Sequence, residues 1–399
     1  MKNRFKFLFP LLFVLCPLLH AWDFGLILNQ NAGYGGYGNE GDFDYSIGAV
    51  PRITGLLGNT GNFIVSGGFE ANYNKDWDFV PEILRTELSF HPGSFAFEIG
   101  RIYHSDPLGF IADGFFDGLK ASYYSDAGTF SAGAWYTGFL YKKRANIEMT
   151  PEESNANKTP FSYDEFTKTY FAPQRFLGAL GWEHLGGAVQ ARAGILGQFD
   201  FFGDKPLNSQ YAAVKLTIPV KAFSFDLGGC LELIQNDGEF DTAFAAEAGI
   251  AFTPQTSFKN RLSLLARYAS GKSEDGSLLA FTPFTTRSQG NILGAKLSGI
   301  SILTLDYVIR PHSAFSAGLS STYFIRNDLG TYTGYPLPEG NGSGYFLGDE
   351  VFARLLWSPA SDLQVNLGGG MFLPSLGDAA PPNADSLWRV ELNVIFSLF

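Results

Sequence analysis

Alternation of apolar and polar residues is the feature that most limits how this chain can fold. Residues 62–73 (NFIVSGGFEANY) place Phe63, Val65 and Phe69 on one face and mostly small or polar side chains on the other. Residues 223–233 and 240–252 repeat the pattern. A period of two residues is typical of a β-strand whose faces meet different environments. Because such segments fill the body of the chain and no useful helix-period segment interrupts them, we predict an all-β fold.

The connections between the segments alternate between short and long. Tight turns fall at 56–62, 91–94, 125–128, 184–187, 219–222, 253–257, 310–314 and 358–362, and loops at 32–42, 74–81, 105–114, 141–174, 200–208, 235–238, 271–288, 327–347 and 374–385. With 289–309 taken as one strand, eight turns and nine loops join eighteen strands. Sixteen strands is the alternative count. Short turns on one rim and long loops on the other are typical of an outer-membrane barrel.

Composition favours a membrane protein over a soluble one. Aromatic residues make up 16% of the chain and charged residues 17%, against about 25% charged in a typical globular protein. Backbone that spans hydrocarbon must satisfy its own hydrogen bonds, so only helices and closed sheets cross it. A soluble β-sandwich also alternates, but its outer face would be polar. We therefore predict a transmembrane antiparallel up-and-down β-barrel.

The two ends of the chain carry separate signals. Residues 1–21 have Lys2, Arg4 and Lys6 ahead of a short apolar run, which predicts a cleaved signal peptide before a barrel over 22–399 in the outer membrane. A retained anchor and a lipoprotein with Cys16 as its first residue are the alternatives. Cleavage after position 21 would leave Cys230 alone, without a disulfide framework.

The last ten residues, 390–399 (VELNVIFSLF), alternate up to the carboxylate. We expect this strand to pair with 22–31 (WDFGLILNQN) and so close the barrel without an edge. A terminal aromatic residue also resembles the signal that barrel-assembly machinery recognises, which makes that machinery a predicted partner. The apolar stripe is out of register with Phe399, so a bulge near Ile395 and Phe396 is expected, or else Phe399 turns inward.

The face opposite the apolar stripe supplies the predicted pore lining. Its charged members are Arg52, Arg85, Glu87, Arg175, Glu183, Arg192, Lys215, Asp226, Glu232, Asp241, Glu247, Arg261, Arg267, Lys296, Glu350, Arg354, Arg389 and Glu391. They fit an interior salt-bridge lattice that stiffens the wall, and they also fit charged rings that select solutes. The two interpretations are compatible. Eighteen strands enclose a bore too wide for side chains to fill, which predicts an aqueous channel.

The long extracellular loop 141–174 is the segment most able to narrow such a channel. It carries both signs of charge, and Thr150 followed by Pro151 predicts a short helix. Loops of this length in compact folds are usually functional or disordered. An inward constriction is one hypothesis and a surface loop without that role is the other.

Residue patterns for chemistry are sparse. The histidines are scattered away from metal-site spacing, no GxSxG stretch occurs, and the glycine-rich stretch at 31–41 lacks the lysine and helix of a phosphate loop. A net charge of −11 argues against a nucleic-acid partner. We therefore expect no enzyme activity and no cofactor, with a barrel hydrolase as the minor alternative.

Residues 97–126 resemble the alginate-export family of outer-membrane proteins. In that family an apolar strand ends in a Gly-Arg step and an Asp-Gly opens the next strand, and here Gly100–Arg101 and Asp117–Gly118 fill those places. Residues 348–374 are similar to the family's late acidic strand, Pro-containing turn and glycine-rich strand. The resemblance implies an eighteen-stranded porin that passes polar or anionic solutes past lumen arginines.

The function predicted from the sequence is a porin for passive passage of small polar solutes through a charged aqueous lumen. A surface adhesin or structural barrel with a closed lumen is the alternative from another class. A transporter of hydrophobic compounds is the third, and it would need an apolar lumen. The lipid bilayer and small polar solutes are the remaining predicted partners, and the oligomeric state is left open.

Overall fold

Eighteen strands form one closed antiparallel sheet in the part of the chain that the structure describes. The computed structural model describes residues 19–201, 206–236, 238–274, 276–331 and 344–398. Each strand pairs with its neighbours in sequence, and β1 (Leu19–Tyr37) pairs with β18 (Leu387–Leu398) to complete the ring. The predicted fold class and count are confirmed.

The other strands are β2 Glu40–Leu57, β3 Gly61–Asn74, β4 Asp76–Phe90, β5 Phe95–Ser105, β6 Asp113–Ser125, β7 Gly128–Tyr136, β8 Arg175–His184, β9 Gln190–Asp200, β10 Leu207–Val220, β11 Phe223–Asn236, β12 Glu239–Phe252, β13 Arg261–Ala269, β14 Ile300–His312, β15 Phe315–Arg326, β16 Phe346–Ala360 and β17 Leu363–Leu373. Short helices α1 Lys142–Ala145, α2 Pro151–Lys158 and α3 Phe166–Thr169 separate β7 from β8, and a 3-10 turn, Pro374–Leu376, follows β17. Within the described ranges, no helix is long and apolar enough to cross a membrane.

Three predicted boundaries are wrong. Residues 289–299 are loop rather than strand, because β14 begins at Ile300. The predicted loop 32–42 is mostly strand, with a turn of two residues between β1 and β2. The predicted loop 74–81 shrinks to Lys75, whose φ of 71° makes the turn. The glycine and aspartate clusters that suggested loops are therefore overridden by strand pairing.

The closing strand pair follows one unbroken register. Leu26 lies opposite Leu398 and Tyr37 opposite Leu387, and no irregularity separates the two ends. The predicted pairing of first and last strands is confirmed, whereas the predicted bulge near Ile395 is wrong. Phe399 and residues 1–18 lie outside the described residues, and β1 begins at Leu19, ahead of the predicted cleavage point.

The outer face of the barrel is apolar. Phe24, Leu180 and Ile195 are 67%, 61% and 60% exposed, and similar side chains recur at alternate positions on the other strands. Burial of one such side chain is worth about 1.5–3 kcal/mol, so a belt this large is unstable in water. A contiguous apolar surface of this kind indicates contact with lipid.

The largest hydrophobic cluster lies inside the barrel. It combines wall side chains such as Trp135, Leu177 and Phe324 with loop side chains such as Phe110 and Phe284. Side chains from the wall alone do not fill a barrel of this size. Loops from the long-loop rim therefore enter the lumen and build the core there.

Candidate functional site

A two-stranded hairpin, residues 102–116, bends out of the wall into the lumen. Pairing between β4 and β5 stops at Thr86 and Arg101, although both strands continue beyond that point. Pairing between β6 and β7 stops at Asp117 and Tyr136. Above these pairs, β5 and β6 remain paired only with each other. We call residues 102–116 the inner hairpin.

The tip of the inner hairpin reaches the far wall. Pro107 packs where a side chain on Gly194 of β9 would lie, and Leu108 packs in the same way over Gly228 of β11. On the other side, the Arg85 guanidinium lies 5.7 Å from the centre of the Phe115 ring, a cation–π distance. The hairpin therefore crosses the lumen between β4 and β11.

One carboxylate organises the tip. Asp106 Oδ1 accepts hydrogen bonds from the N–H groups of Leu108 and Gly109 at 2.8 and 3.0 Å. Its Oδ2 accepts from Ile111 and Ala112 at 2.8 and 3.0 Å. These bonds satisfy backbone groups that would otherwise be buried without partners. They fix the turn that carries the apolar tip.

A second loop, residues 270–299, joins the inner hairpin and is called the second inner loop. The Thr285 N–H donates to Ile111 O at 3.0 Å, and Thr285 Oγ1 accepts from the Asp113 N–H at 3.0 Å. The Arg287 guanidinium donates to Gly109 O at 2.8 Å. The two loops therefore form one unit inside the barrel.

Two predicted lumen carboxylates hold the second inner loop against the wall. Glu350 accepts the backbone N–H groups of residues 291–293, at 2.6 Å from Asn291 and at 2.9 Å from each of the next two. Glu232 accepts the Thr282 N–H at 2.8 Å. Both side chains are fully buried. They act as loop anchors rather than as groups facing solute.

The long loop between β7 and β8, residues 137–174, closes the gap that the inner hairpin leaves in the wall. The hydroxyls of Tyr163 and Tyr170 donate to the backbone carbonyls of Phe79 and Pro81, each at 2.9 Å. These carbonyls belong to β4 beyond its pairing with β5. Side chains of the loop therefore satisfy an edge that would otherwise face lipid unpaired.

The same loop also extends into the lumen. Ile147 and Met149 belong to the inner hydrophobic cluster. The predicted helix after Thr150 is α2, whose capping box joins Thr150 to Glu153. Glu153 accepts from the buried Arg175 at 2.8 Å. The loop is therefore both part of the wall and part of the obstruction.

An ion pair between Glu148 and Lys296 links the long loop to the second inner loop. Burial raises the pKa of Glu148, but hydrogen bonds from Lys296, Asn157 and Ser154 outweigh it, and the pKa lies below its usual 4.5. Because the pKa of this carboxyl is lower in the folded state, the ion pair stabilises the fold fully at pH values above the usual pKa. That stabilisation is lost as the pH falls through the folded-state pKa.

We therefore expect acidification to loosen the constriction. Single-channel conductance of the refolded wild type should rise as the pH falls below the usual Glu148 value of 4.5. In Glu148→Gln the interaction lacks its charge at every pH, so the rise should be smaller. An identical pH profile for the two proteins would contradict this link.

In three lumen ion pairs the two partners lie on strands that are separated by one other strand, and each pair passes over a glycine of that middle strand. Lys215 reaches Glu247 across Gly228, Arg389 reaches Asp44 across Gly33, and Arg354 reaches Asp306 across Gly318. Their N···O distances are 2.6, 2.9 and 2.6 Å. At Gly33 and Gly318 the missing Cβ makes room for the arginine side chain, whereas the space over Gly228 is taken by Leu108 of the inner hairpin and by Glu247. The arrangement pairs each of these lumen charges with a charge of opposite sign.

Gly318→Leu tests this arrangement, because a Cβ there would lie 2.7 Å from Arg354 Nε. We expect the guanidinium to move into the bore and the conductance to fall in part. Stability should change by no more than about 1 kcal/mol, since the pair is partly exposed. Gly178→Leu, on the outer face with nothing within 4 Å of its Cβ position, is the control. Equal conductance in both variants would contradict the prediction.

Amide side chains line the wall formed by β17, β18, β1 and β2. Asn366 Nδ2 donates to Asn393 Oδ1 at 2.9 Å, and Asn393 Nδ2 donates to Asn29 Oδ1 at 2.7 Å. Asn31 Nδ2 donates to Ser46 Oγ at 3.0 Å. These side chains stay partly exposed. They give the lumen a neutral wall with both donors and acceptors.

The structure places the predicted pore-lining residues mostly on the inner face. The strand residues opposite the apolar stripe are Arg52, Arg85, Glu87, Arg175, Glu183, Arg192, Lys215, Asp226, Glu232, Asp241, Glu247, Arg261, Arg267, Glu350, Arg354, Arg389 and Glu391. Lys296 was predicted on a strand, and it lies instead in the second inner loop. Glu247 joins Lys215 and Arg267, at 2.6 and 3.3 Å, into one cluster.

Sequence reasoning missed the residues that build the constriction, among them Asp106, Asp113 and Arg287. A signal was present. The loop stretches PLGFIA (107–112) and LLAFTPF (278–284) are apolar, and an apolar loop on a barrel rim would face water. Such loops must be buried, and the lumen is the nearest place. Among the described residues, no group of three His, Cys, Asp or Glu side chains is placed to hold a metal ion.

Solved structures with the same architecture come from Pseudomonas aeruginosa. OccK2 (OpdF) in complex with glucuronate has a TM-score of 0.65, with 96% of this chain and 99% of that chain covered. OccK11 (OpdR) has a TM-score of 0.60, with 96% and 97% covered. The outer membrane protein OpdK has a TM-score of 0.62, with 94% and 98% covered. The chain shares their fold.

Sequence identity to each of these three structures is 11%. No family model and no curated protein matches the chain. The similarity therefore rests on the complete path of the barrel rather than on shared residues.

Proposed function

We propose that this protein is an outer-membrane channel that passes small polar solutes by diffusion. The observation that carries the proposal is the inner hairpin, which crosses a charged and amide-lined lumen from β4 to β11 and so narrows it. A constriction of this kind limits solute size while ion pairs along the wall keep the path polar. The glucuronate bound to OccK2 supports solutes of monosaccharide size.

The lumen charges support polar solutes of either sign over strong anion selectivity. Six of the eight predicted arginines on the inner face have a carboxylate within 4 Å, as in Arg85 with Glu87 at 2.6 Å and Arg389 with Asp44 at 2.9 Å. Paired charges of this kind leave little net potential along the path. None of the three structures compared above is an alginate-export protein, so that sequence resemblance stays a prediction.

Planar-bilayer recording of the refolded barrel tests the channel. We expect single-channel openings, and we expect liposomes that contain the protein to swell in monosaccharide faster than in large oligosaccharide. A barrel that never opens at any voltage would favour the adhesin interpretation. Uptake of a labelled fatty acid without sugar-driven swelling would favour a transporter of hydrophobic compounds.

A further inference from the structure

Two glycines mark the point where the inner hairpin leaves the wall. Gly100 has a φ of +110°, and a Cβ there would collide with the backbone carbonyl of Thr86 on β4. A Cβ on Gly118 would collide with the carbonyl of Ala134 on β7. The backbones therefore approach more closely than other residues allow. The hairpin bends directly above these positions.

A buried ion pair lies beside the two glycines. Arg101 is the register partner of Asp117, on the outer face of the barrel in line with Phe97 and Ile99. Arg101 Nε and Nη2 donate to the two Asp117 oxygens at 2.8 and 2.7 Å, a bidentate pair. The Arg101 side chain is only 7% exposed. Charges in such a place require several compensating bonds.

The same guanidinium contacts both sides of the wall gap. Arg101 donates to the carbonyl of Ile83 on β4. It also donates to the carbonyl of Phe139, after β7, at 3.1 Å. With Asp117 on β6, one side chain therefore joins every segment that borders the base of the inner hairpin.

We propose that Arg101 and Asp117 form a pivot that fixes the angle of the inner hairpin and so sets the width of the pore. This positioning role rests on the proposed channel function. The guanidinium donates hydrogen bonds to three acceptor groups, the Asp117 carboxylate and the carbonyls of Ile83 and Phe139. These bonds hold the base of the hairpin in one orientation. The tip lies at the other end of the inner hairpin from this ion pair. A small change in the angle of the hairpin at its base therefore becomes a larger displacement at the tip.

The first test measures the position of the tip without any transport assay. Leu108→Cys with Gly228→Cys, in a Cys230→Ser background, places two thiols where Leu108 now packs over Gly228. We expect rapid disulfide formation, seen as a mobility change on a non-reducing gel. Adding Arg101→Gln should slow the cross-link severalfold. Lys168→Gln, which removes a cation of an exposed pair in the long loop, should leave the rate unchanged.

The second test measures pore width. Arg101→Gln should raise single-channel conductance and admit larger sugars in liposome swelling, and Arg101→Lys should have a smaller effect because an ammonium cannot make the same fork. With the 108–228 disulfide in place, Arg101→Gln should no longer raise conductance. A purely structural pair would lower stability without this dependence on the cross-link.

The outcomes separate the pivot from the channel function. An unchanged cross-linking rate in Arg101→Gln overturns the pivot, and so does a conductance rise that survives the disulfide. A wild type without openings overturns the channel function, while the cross-linking rate still tests the hairpin angle. If Arg101→Gln fails to refold, Asp117→Asn, which keeps the guanidinium and its carbonyl contacts, is measured in the same two assays.

Discussion

Replacement of residues 107–111 by a two-residue Asn-Gly turn is expected to raise single-channel conductance severalfold. These residues carry Leu108, Phe110 and Ile111, all almost fully buried where the inner hairpin crosses the lumen. The ends of the excised stretch are already joined, because the Asp106 N–H donates to Ala112 O at 3.0 Å. A short turn of this type suits antiparallel strands. The hairpin should therefore close without its tip.

Liposome swelling should change along with conductance. Without the tip, sugars larger than those admitted by the wild type should enter, because the bore between β4 and β11 is no longer bridged. The barrel wall should still form, since its strand pairing does not use these residues, although loss of the buried Leu108, Phe110 and Ile111 side chains should lower stability by about 1.5–3 kcal/mol each.

A matched deletion separates obstruction from general loop damage. Pro382 and Asn383 lie exposed in the loop between β17 and β18, on the same rim. Their removal should leave conductance and solute size limits unchanged. Equal conductance in the Asn-Gly variant and the wild type would mean that the inner hairpin does not narrow the path.

The wall of this barrel could be predicted from sequence because each strand meets two environments. Apolar and polar residues alternate in 62–73 and 240–252, a pattern that neither a helix nor a loop requires. A slip of one residue would turn the apolar face of a strand inward, which explains the unbroken register of the closing strands. The loop predicted at the glycine-rich run near Gly33 is wrong because of a contact that is distant in sequence. The missing side chain of Gly33 makes room for Arg389, a contact from the far end of the chain.

The interior could not be predicted in the same way. Residues 97–126 alternate as an ordinary hairpin would, and nothing local shows that its upper half turns inward. That choice depends on contacts distant in sequence, such as Thr285 with Ile111 and Asp113. The strand assigned to 289–309 failed likewise, because Glu350 captures the backbone at residues 291–293.

The largest stability effect is expected at Arg175, one of the predicted lumen arginines. Arg175→Ala should lower the free energy of unfolding by about 3–5 kcal/mol, because the partners of a buried charge are left uncompensated. The side chain is 1% exposed. It donates to Glu153 at 2.8 Å and to Gln198 at 2.6 Å, and Asp200 lies 3.6 Å away. Urea unfolding of the protein refolded in vesicles measures the change.

Arg192→Ala is the control, because it removes the same charge type from the adjacent strand. Its pair with Glu183 spans 3.6 Å, with both side chains nearly half exposed, and such pairs are worth at most about 1 kcal/mol. Arg175→Lys should fall between the two, since lysine keeps the charge but loses the fork.

The comparison of Arg175→Ala with Arg192→Ala also tests which contacts hold the long loop in place. Arg175 starts β8 and binds Glu153 of α2, so its loss should release α2 from the wall as well as lower stability. In a double-mutant cycle, Glu153→Gln should therefore cost less in the Arg175→Ala background than in the wild type, by about 0.5–3 kcal/mol. Additive losses of stability in the cycle would show that Arg175 and Glu153 are not coupled. Equal losses of stability for Arg175→Ala and Arg192→Ala would show that burial does not decide how much Arg175 contributes to stability.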